Sequence, residues 1–305
     1  MQLLPQNKVI ALTITAVMVA VIGGYLLFWA GDTLIEPSLL NQTATTSPAT
    51  TTPTMDTSTS QVIGRSVEGR AIEAITYGDG EIHLLFVGGI HGGYEWNSVL
   101  LAYRLMDYLA GNPEAVPANV AVSVIPTANP DGVYDVIGQE GRFTRADVPA
   151  DEGPLGTGRF NANDVDLNRN FACRWQPTST WRARKVSAGT SAFSEPEARA
   201  IRDYVQTIQP TAGVFFHSAA GAVYGAACDG TIGPATTKLL NTYAQASGYR
   251  AVPLFSAYPI TGDVESWLTK LNIPAVSVEM TNHTDVEWTK NLAGIKAMLN
   301  FYSQI

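Results

Sequence analysis

The chain has 305 residues, 46% hydrophobic and 15% charged, with a formal net charge of -8. That is enough apolar side chain for a sizeable core, and it excludes a disordered polypeptide. With 19 Lys and Arg against 27 Asp and Glu, no concentrated basic surface is available to neutralise phosphates, so no nucleic-acid partner is expected.

Val9 to Ala30 is an uncharged apolar run of about 22 residues, enough for a helix to cross a hydrocarbon core of about 30 Å. Residues 1–8 then form a cytoplasmic N-terminus and residues 9–30 a transmembrane anchor. Lys8 before the run and Asp32 and Glu36 after it place the rest of the chain outside the cytoplasm. The rival is a cleaved signal peptide releasing a secreted protein, but the run exceeds a usual h-region and no small-x-small cleavage site directly follows it. Residues 31–60 read as a linker: Asn41 to Ser60 is nearly all Thr, Ser, Pro and Ala, too polar to fold as a pro-domain. The folded domain is expected over residues 61–305, a length that suits one α/β domain.

Within it, Ile72 to Tyr77 and Ile82 to Val87 read as strands, Val99 to Leu109 as a helix and Val120 to Ile125 as a buried strand. A polar, glycine-containing passage follows from Asn129 to about Phe193, opening on the turn sequence Asn129-Pro130-Asp131-Gly132. Ser194-Glu195-Pro196-Glu197 has the pattern of a capping box opening a helix. Strand Gly213 to Phe216, helix Ala235 to Ala246, helix Asp263 to Leu271, strand Ala275 to Val278 and a closing helix from Val286 to about Tyr302 complete the chain. This alternation predicts an α/β fold with a mixed, mainly parallel central sheet and helices on both faces, whose strand-end loops converge on one site.

Those loops hold the chemically capable residues. His91 and Glu95 follow the second strand, His217 follows Phe216, and Glu279 ends the Val276 strand. Each has a structural explanation alone, but at matching topological positions they point to an assembled metal site. His83, inside a strand pattern, reads as a hydrogen-bonded structural histidine, and His283 lies just past Glu279. The two cysteines, Cys173 and Cys228, each follow shortly after such a segment. In an oxidising compartment a disulfide is expected; two unpaired buried thiols are the alternative.

Ile63-Gly64-Arg65-Ser66-Val67-Glu68-Gly69-Arg70, Gly89-Ile90-His91, Asn129-Pro130-Asp131-Gly132, Val165-Asp166-Leu167-Asn168-Arg169-Asn170-Phe171, His217-Ser218, Tyr258 four residues before Gly262, and Glu279 occur in the order found in zinc carboxypeptidases of the carboxypeptidase A type. The sequence closely resembles that family over nearly all of residues 62–299. The resemblance implies one Zn2+ held by His91, Glu95 and His217, with Glu279 as general base. It implies an arginine for the oxyanion: Arg159 is the candidate, with Arg142 and Arg145 as rivals. Asn168 and Arg169 would hold the free C-terminal carboxylate of a peptide substrate, and Tyr258 would close over it. Glu265, seven residues after Tyr258, resembles the family's specificity-pocket residue, where an acid favours a cationic side chain or a diamino acid; otherwise it is a solvent-facing acid. The family's first ligand pair is His-x-x-Glu, and here it is one residue longer. The activity implied is removal of a C-terminal residue from peptides, at the membrane through the N-terminal anchor. The alternatives are an amidase cutting murein peptides at a diamino acid and an inactive peptide-binding protein on the same fold.

Overall fold

The computed structural model describes residues 58–150 and 153–305. The expected anchor over residues 9–30 and all but the end of the linker lie outside them. Among the described residues, no helix is long and apolar enough to cross a membrane.

The described residues form ten strands and six α-helices in chain order: β1 (Thr59–Arg65), β2 (Ala71–Tyr77), β3 (Ile82–Val87), α1 (Trp96–Gly111), β4 (Val120–Ile125), α2 (Pro130–Ile137), β5 (Thr178–Trp181), β6 (Arg184–Ser187), α3 (Pro196–Ile208), β7 (Ala212–Ser218), β8 (Ala222–Gly225), α4 (Pro234–Ser247), β9 (Arg250–Val252), α5 (Val264–Lys270), β10 (Ala275–Met280) and α6 (Trp288–Tyr302). Eight strands form one sheet in the order β1-β2-β4-β3-β7-β10-β8-β9, while β5 and β6 pair apart from it. The central run β4-β3-β7-β10 is parallel; β1, β2 and β8 join antiparallel.

Helices cover both faces, which is why the central strands read as continuous apolar runs rather than alternating ones. On β3, Leu84 and Phe86 pack with Leu101 of α1, Leu239 of α4 and Met298 of α6. Leu85 and Val87 point the other way, toward Ile201 of α3 and Leu268 of α5. Burying each such side chain contributes about 1.5–3 kcal/mol. The same alternation aims the site. Val214 and Phe216 of β7 and Val278 and Met280 of β10 belong to the α1 face, so His217 and Glu279 project from the opposite one. The β7–β10 ladder pairs Glu279 directly with His217.

Two local expectations are corrected. Asn129-Pro130-Asp131-Gly132 opens α2 rather than making a simple turn. Asn129 is the N-cap, its side chain accepting the Gly132 N–H at 3.0 Å, with Pro130 in the first turn. The capping box at Ser194 does not form: the N-cap is Glu195, without a side-chain cap. Ser194 Oγ donates instead to Glu195 Oε1, and Glu197 accepts from the Val67 N–H and from Asn161 Nδ2. Distant partners take the groups that local sequence assigns to the cap.

Candidate metal centre and active site

After β3 the chain turns through a 3-10 helix, Gly92–Glu95. Gly92 has φ +46, and a Cβ there would lie 2.4 Å from the Gly158 carbonyl oxygen. A tight left-handed start therefore absorbs the extra residue between His91 and Glu95. Glu95 stands between two imidazoles: its Oε1 is 2.8 Å from His91 Nδ1 and its Oε2 3.0 Å from His217 Nδ1. All three residues are buried, and their donor atoms lie within 4.8 Å of one another.

This donor set fits a cation. On the far side of His91, its Nε2 and Asp166 Oδ1 are buried 3.6 Å apart, neither with a hydrogen-bond partner among the described residues. On the far side of His217, Nε2 faces Glu265 Oε1 at 2.9 Å. A proton on each outer nitrogen satisfies both carboxylates and leaves two Nδ1 lone pairs and the Glu95 carboxylate converging. Two imidazoles and a carboxylate are the ligand set of catalytic zinc.

The electrostatics agree. Burial, helped by the Arg159 charge, pushes His91 down to about 4, keeping it neutral. Burial opposes ionisation of Glu95, but His91 and His217 hold it well below the usual carboxylate range. Burial also disfavours charge on His217, yet Glu95 and Glu265 raise its pKa well above the usual value. Glu279 is pushed up to about 7 by burial and by Glu95, and less by Glu265, against the pull of His217 and Arg159.

Arg159 is the cation beside these donors. Its Nε and Nη2 donate to Asp166 Oδ2 at 3.0 and 2.8 Å, its Nη1 is 3.8 Å from Glu95 Oε1, and it stacks 4.5 Å over the Trp181 ring. Arg142 instead pairs with Asp107 and lies over Tyr103, while Arg145 lies over Trp96. Neither lines the cavity of about 880 Å³ that His91, Glu95, Arg159, His217 and Glu279 share with Asn168, Arg169, Tyr258 and Glu265.

Asn168 and Arg169 sit in a short 3-10 turn, Leu167–Arg169. Arg169 donates to the Asn168 and Thr180 carbonyls, which leaves one N–H on each terminal nitrogen for a ligand. Tyr258 is half-buried in the loop before Gly262, its ring 4.7 Å from Phe255. Gly262 anchors that loop: at φ +74 its Cβ would fall 2.1 Å from the Arg169 carbonyl oxygen. Cys173 and Cys228 are joined, with Cα atoms 5.5 Å apart. Glu265 is buried, not solvent-facing. His83 bonds Ser123, and His283 Nδ1 lies 2.8 Å from Ser218 Oγ.

Sequence reasoning gave no role to Asp166 or Ser277. Asp166 was visible inside the Asp-Leu-Asn-Arg stretch. Ser277, two residues before Glu279, shares its face of β10.

The chain belongs to the zinc carboxypeptidase family: that family's model, Peptidase_M14, matches residues 49–289. Zinc carboxypeptidase A 1 of Anopheles gambiae is 32% identical over 152 residues, 47% of this chain and 33% of that protein. Murein peptide amidase A of Escherichia coli K12 is 30% identical over 133 residues, 40% of this chain and 50% of that protein. The chain thus spans half or less of the length of these curated relatives. The carboxypeptidase A structure from Helicoverpa armigera superposes with a TM-score of 0.65 at 19% identity, covering 82% of this chain and 69% of that one, a likeness of fold.

Proposed function

We propose that the chain is a zinc-dependent carboxypeptidase hydrolysing the C-terminal peptide bond of peptides that end in a free carboxylate. One observation carries the reading: the donor atoms of His91, Glu95 and His217 lie within 4.8 Å of one another, with Glu279 paired to His217 across the ladder. When bound, zinc supplies a Lewis acid that polarises the scissile carbonyl and acidifies a water. Glu279 would act as the general base, its carboxylate accepting a proton from the attacking water and giving it to the leaving amine. Arg159, clamped by Asp166 with its Nη1 toward Glu95, offsets negative charge developing on the carbonyl oxygen. Arg169 and Asn168 hold the substrate's carboxylate, and Tyr258 closes over it. The apolar run at residues 9–30 anchors the chain with its catalytic domain outside the cytoplasm, where the Cys173–Cys228 bond is stable.

The similarity to a murein peptide amidase supports a second reading, cleavage of an isopeptide bond to a diamino acid. Mass spectrometry of the zinc-loaded full chain with blocked peptides ending in Phe, Lys or Glu, a murein tripeptide and a chelator control separates the two. Chelator-sensitive release of one C-terminal residue from ordinary peptides supports the carboxypeptidase. Cleavage of the murein peptide alone moves the function to the amidase, and silence on every substrate favours a peptide-binding protein.

A further inference from the structure

We infer that Glu265 is a positioning residue for His217, not the acid that reads the substrate's terminal side chain. This rests on the zinc reading above.

Glu265 lies in the first turn of α5, which Asp263 caps by accepting the Ser266 N–H at 3.0 Å. The residue is 2% exposed, and three donors from three different segments converge on its two carboxylate oxygens. His217 Nε2 and Ser277 Oγ reach Oε1 at 2.9 and 2.7 Å, and Asn168 Nδ2 reaches Oε2 at 3.3 Å. Asn168 is itself fixed, because its Oδ1 accepts the Val264 N–H at 2.8 Å.

A carboxylate is an acceptor only, so an imidazole nitrogen 2.9 Å away must carry a hydrogen. Facing a carboxylate on each side, metal-free His217 carries a hydrogen on both nitrogens; when a cation takes the place of the Nδ1 proton beside Glu95, the Glu265 bond keeps the other on Nε2 and so sets the tautomer. Glu265 therefore selects the donor atom His217 offers to the metal, orients its ring and raises its basicity. The same three bonds fill most of the carboxylate's acceptor sites and hold it in place, so a Lys ammonium would gain little from it as a pocket charge. Through Asn168, the metal ligand and the proposed carboxylate site share one brace.

Replacement by glutamine is not neutral. An amide offers one acceptor and one donor, so wherever its nitrogen sits it faces a donor from His217, Ser277 or Asn168.

The test is zinc affinity of the metal-free full chain, read by competition with a chromophoric chelator without substrate. Glu265→Gln is expected to weaken binding about 10- to 100-fold. Ser277→Ala, which removes one of the three bonds, is expected to weaken it about fivefold. In the zinc-loaded protein, the His217 Nε2–H resonance, read by NMR, is expected to shift or vanish in Glu265→Gln relative to the parent. The ratio of rates on peptides ending in Lys and in Glu should stay unchanged. Zinc affinity within twofold of the parent in both variants, or a Lys-to-Glu ratio that inverts, would overturn the inference. If Glu265→Gln does not fold, Ser277→Ala decides alone: weaker zinc supports the role and unchanged zinc removes it. A parent chain that binds zinc but cleaves nothing would sink the proposed peptidase reading while leaving these affinities readable.

Discussion

His91 Nδ1 and Glu95 Oε1 meet at 2.8 Å although the residues stand four positions apart, because Gly92 enters the intervening 3-10 turn with φ +46. An L-residue is strained there by about 1–2 kcal/mol, and a Cβ would press on the Gly158 carbonyl oxygen at 2.4 Å. Gly92→Ala is therefore expected to lower stability by about 1–3 kcal/mol and to weaken zinc binding by displacing one ligand from the other. Urea denaturation and chelator competition on one preparation check both; a variant with parental zinc affinity would show the turn to be slack.

Zinc binding is expected to release a proton. His217 is raised well above the usual imidazole range, because Glu95 and Glu265 outweigh the opposing effect of burial. Without metal it is protonated near neutral pH, and the cation must displace that proton from Nδ1. The zinc-free form binds the extra proton, so raising the pH favours the zinc form, by about tenfold per pH unit while His217 stays charged. Calorimetry in buffers of different ionisation enthalpy measures the proton count. Buffer-independent heats would contradict this protonation state.

Arg169 lines the cavity with its guanidinium braced on the Asn168 and Thr180 carbonyls. If it holds the substrate carboxylate, Arg169→Ala should lower kcat/KM on free-acid peptides about 10- to 100-fold, mostly through KM. C-terminally amidated peptides should change little, and an unaltered ratio between the two substrates would remove Arg169 from recognition.

The Cys173–Cys228 bond closes a loop of 55 residues, worth about 4 kcal/mol in the chain-entropy treatment. The Cys173→Ala, Cys228→Ala double variant should unfold at correspondingly lower denaturant. Because Gly262 N donates to the Cys173 carbonyl, it should also loosen the Tyr258 loop and raise KM. Unchanged stability would mean the bond adds nothing to the native state.

Much of the sheet was legible because β3, β4, β7 and β10 are buried on both faces and read as apolar runs. His91, Glu95, His217 and Glu279 stood out because each falls at the carboxyl end of such a run. The short polar elements were not legible: β8 exists because Val223 pairs with Val278, and the β5–β6 hairpin stands apart from the main sheet. Local sequence could not choose among Arg142, Arg145 and Arg159 either, since the choice depends on which one the loop lays against Asp166. The bonds to Glu265 were invisible for the same reason, because His217, Ser277 and Asn168 reach it from distant segments. Where a group's partner is remote in sequence, only the folded path identifies it.

Whether Glu279 is the base and not a ligand is tested most directly by zinc content and turnover of Glu279→Gln. Its pKa of about 7 arises chiefly from burial and Glu95, against His217 and Arg159, and a bound cation lowers it. Activity of the parent should therefore fall as pH drops through a value below 7, where the base becomes protonated. The variant is expected to keep one zinc per chain while turnover falls about 10²- to 10⁴-fold. Loss of the zinc, or turnover at the parental rate, would contradict that role.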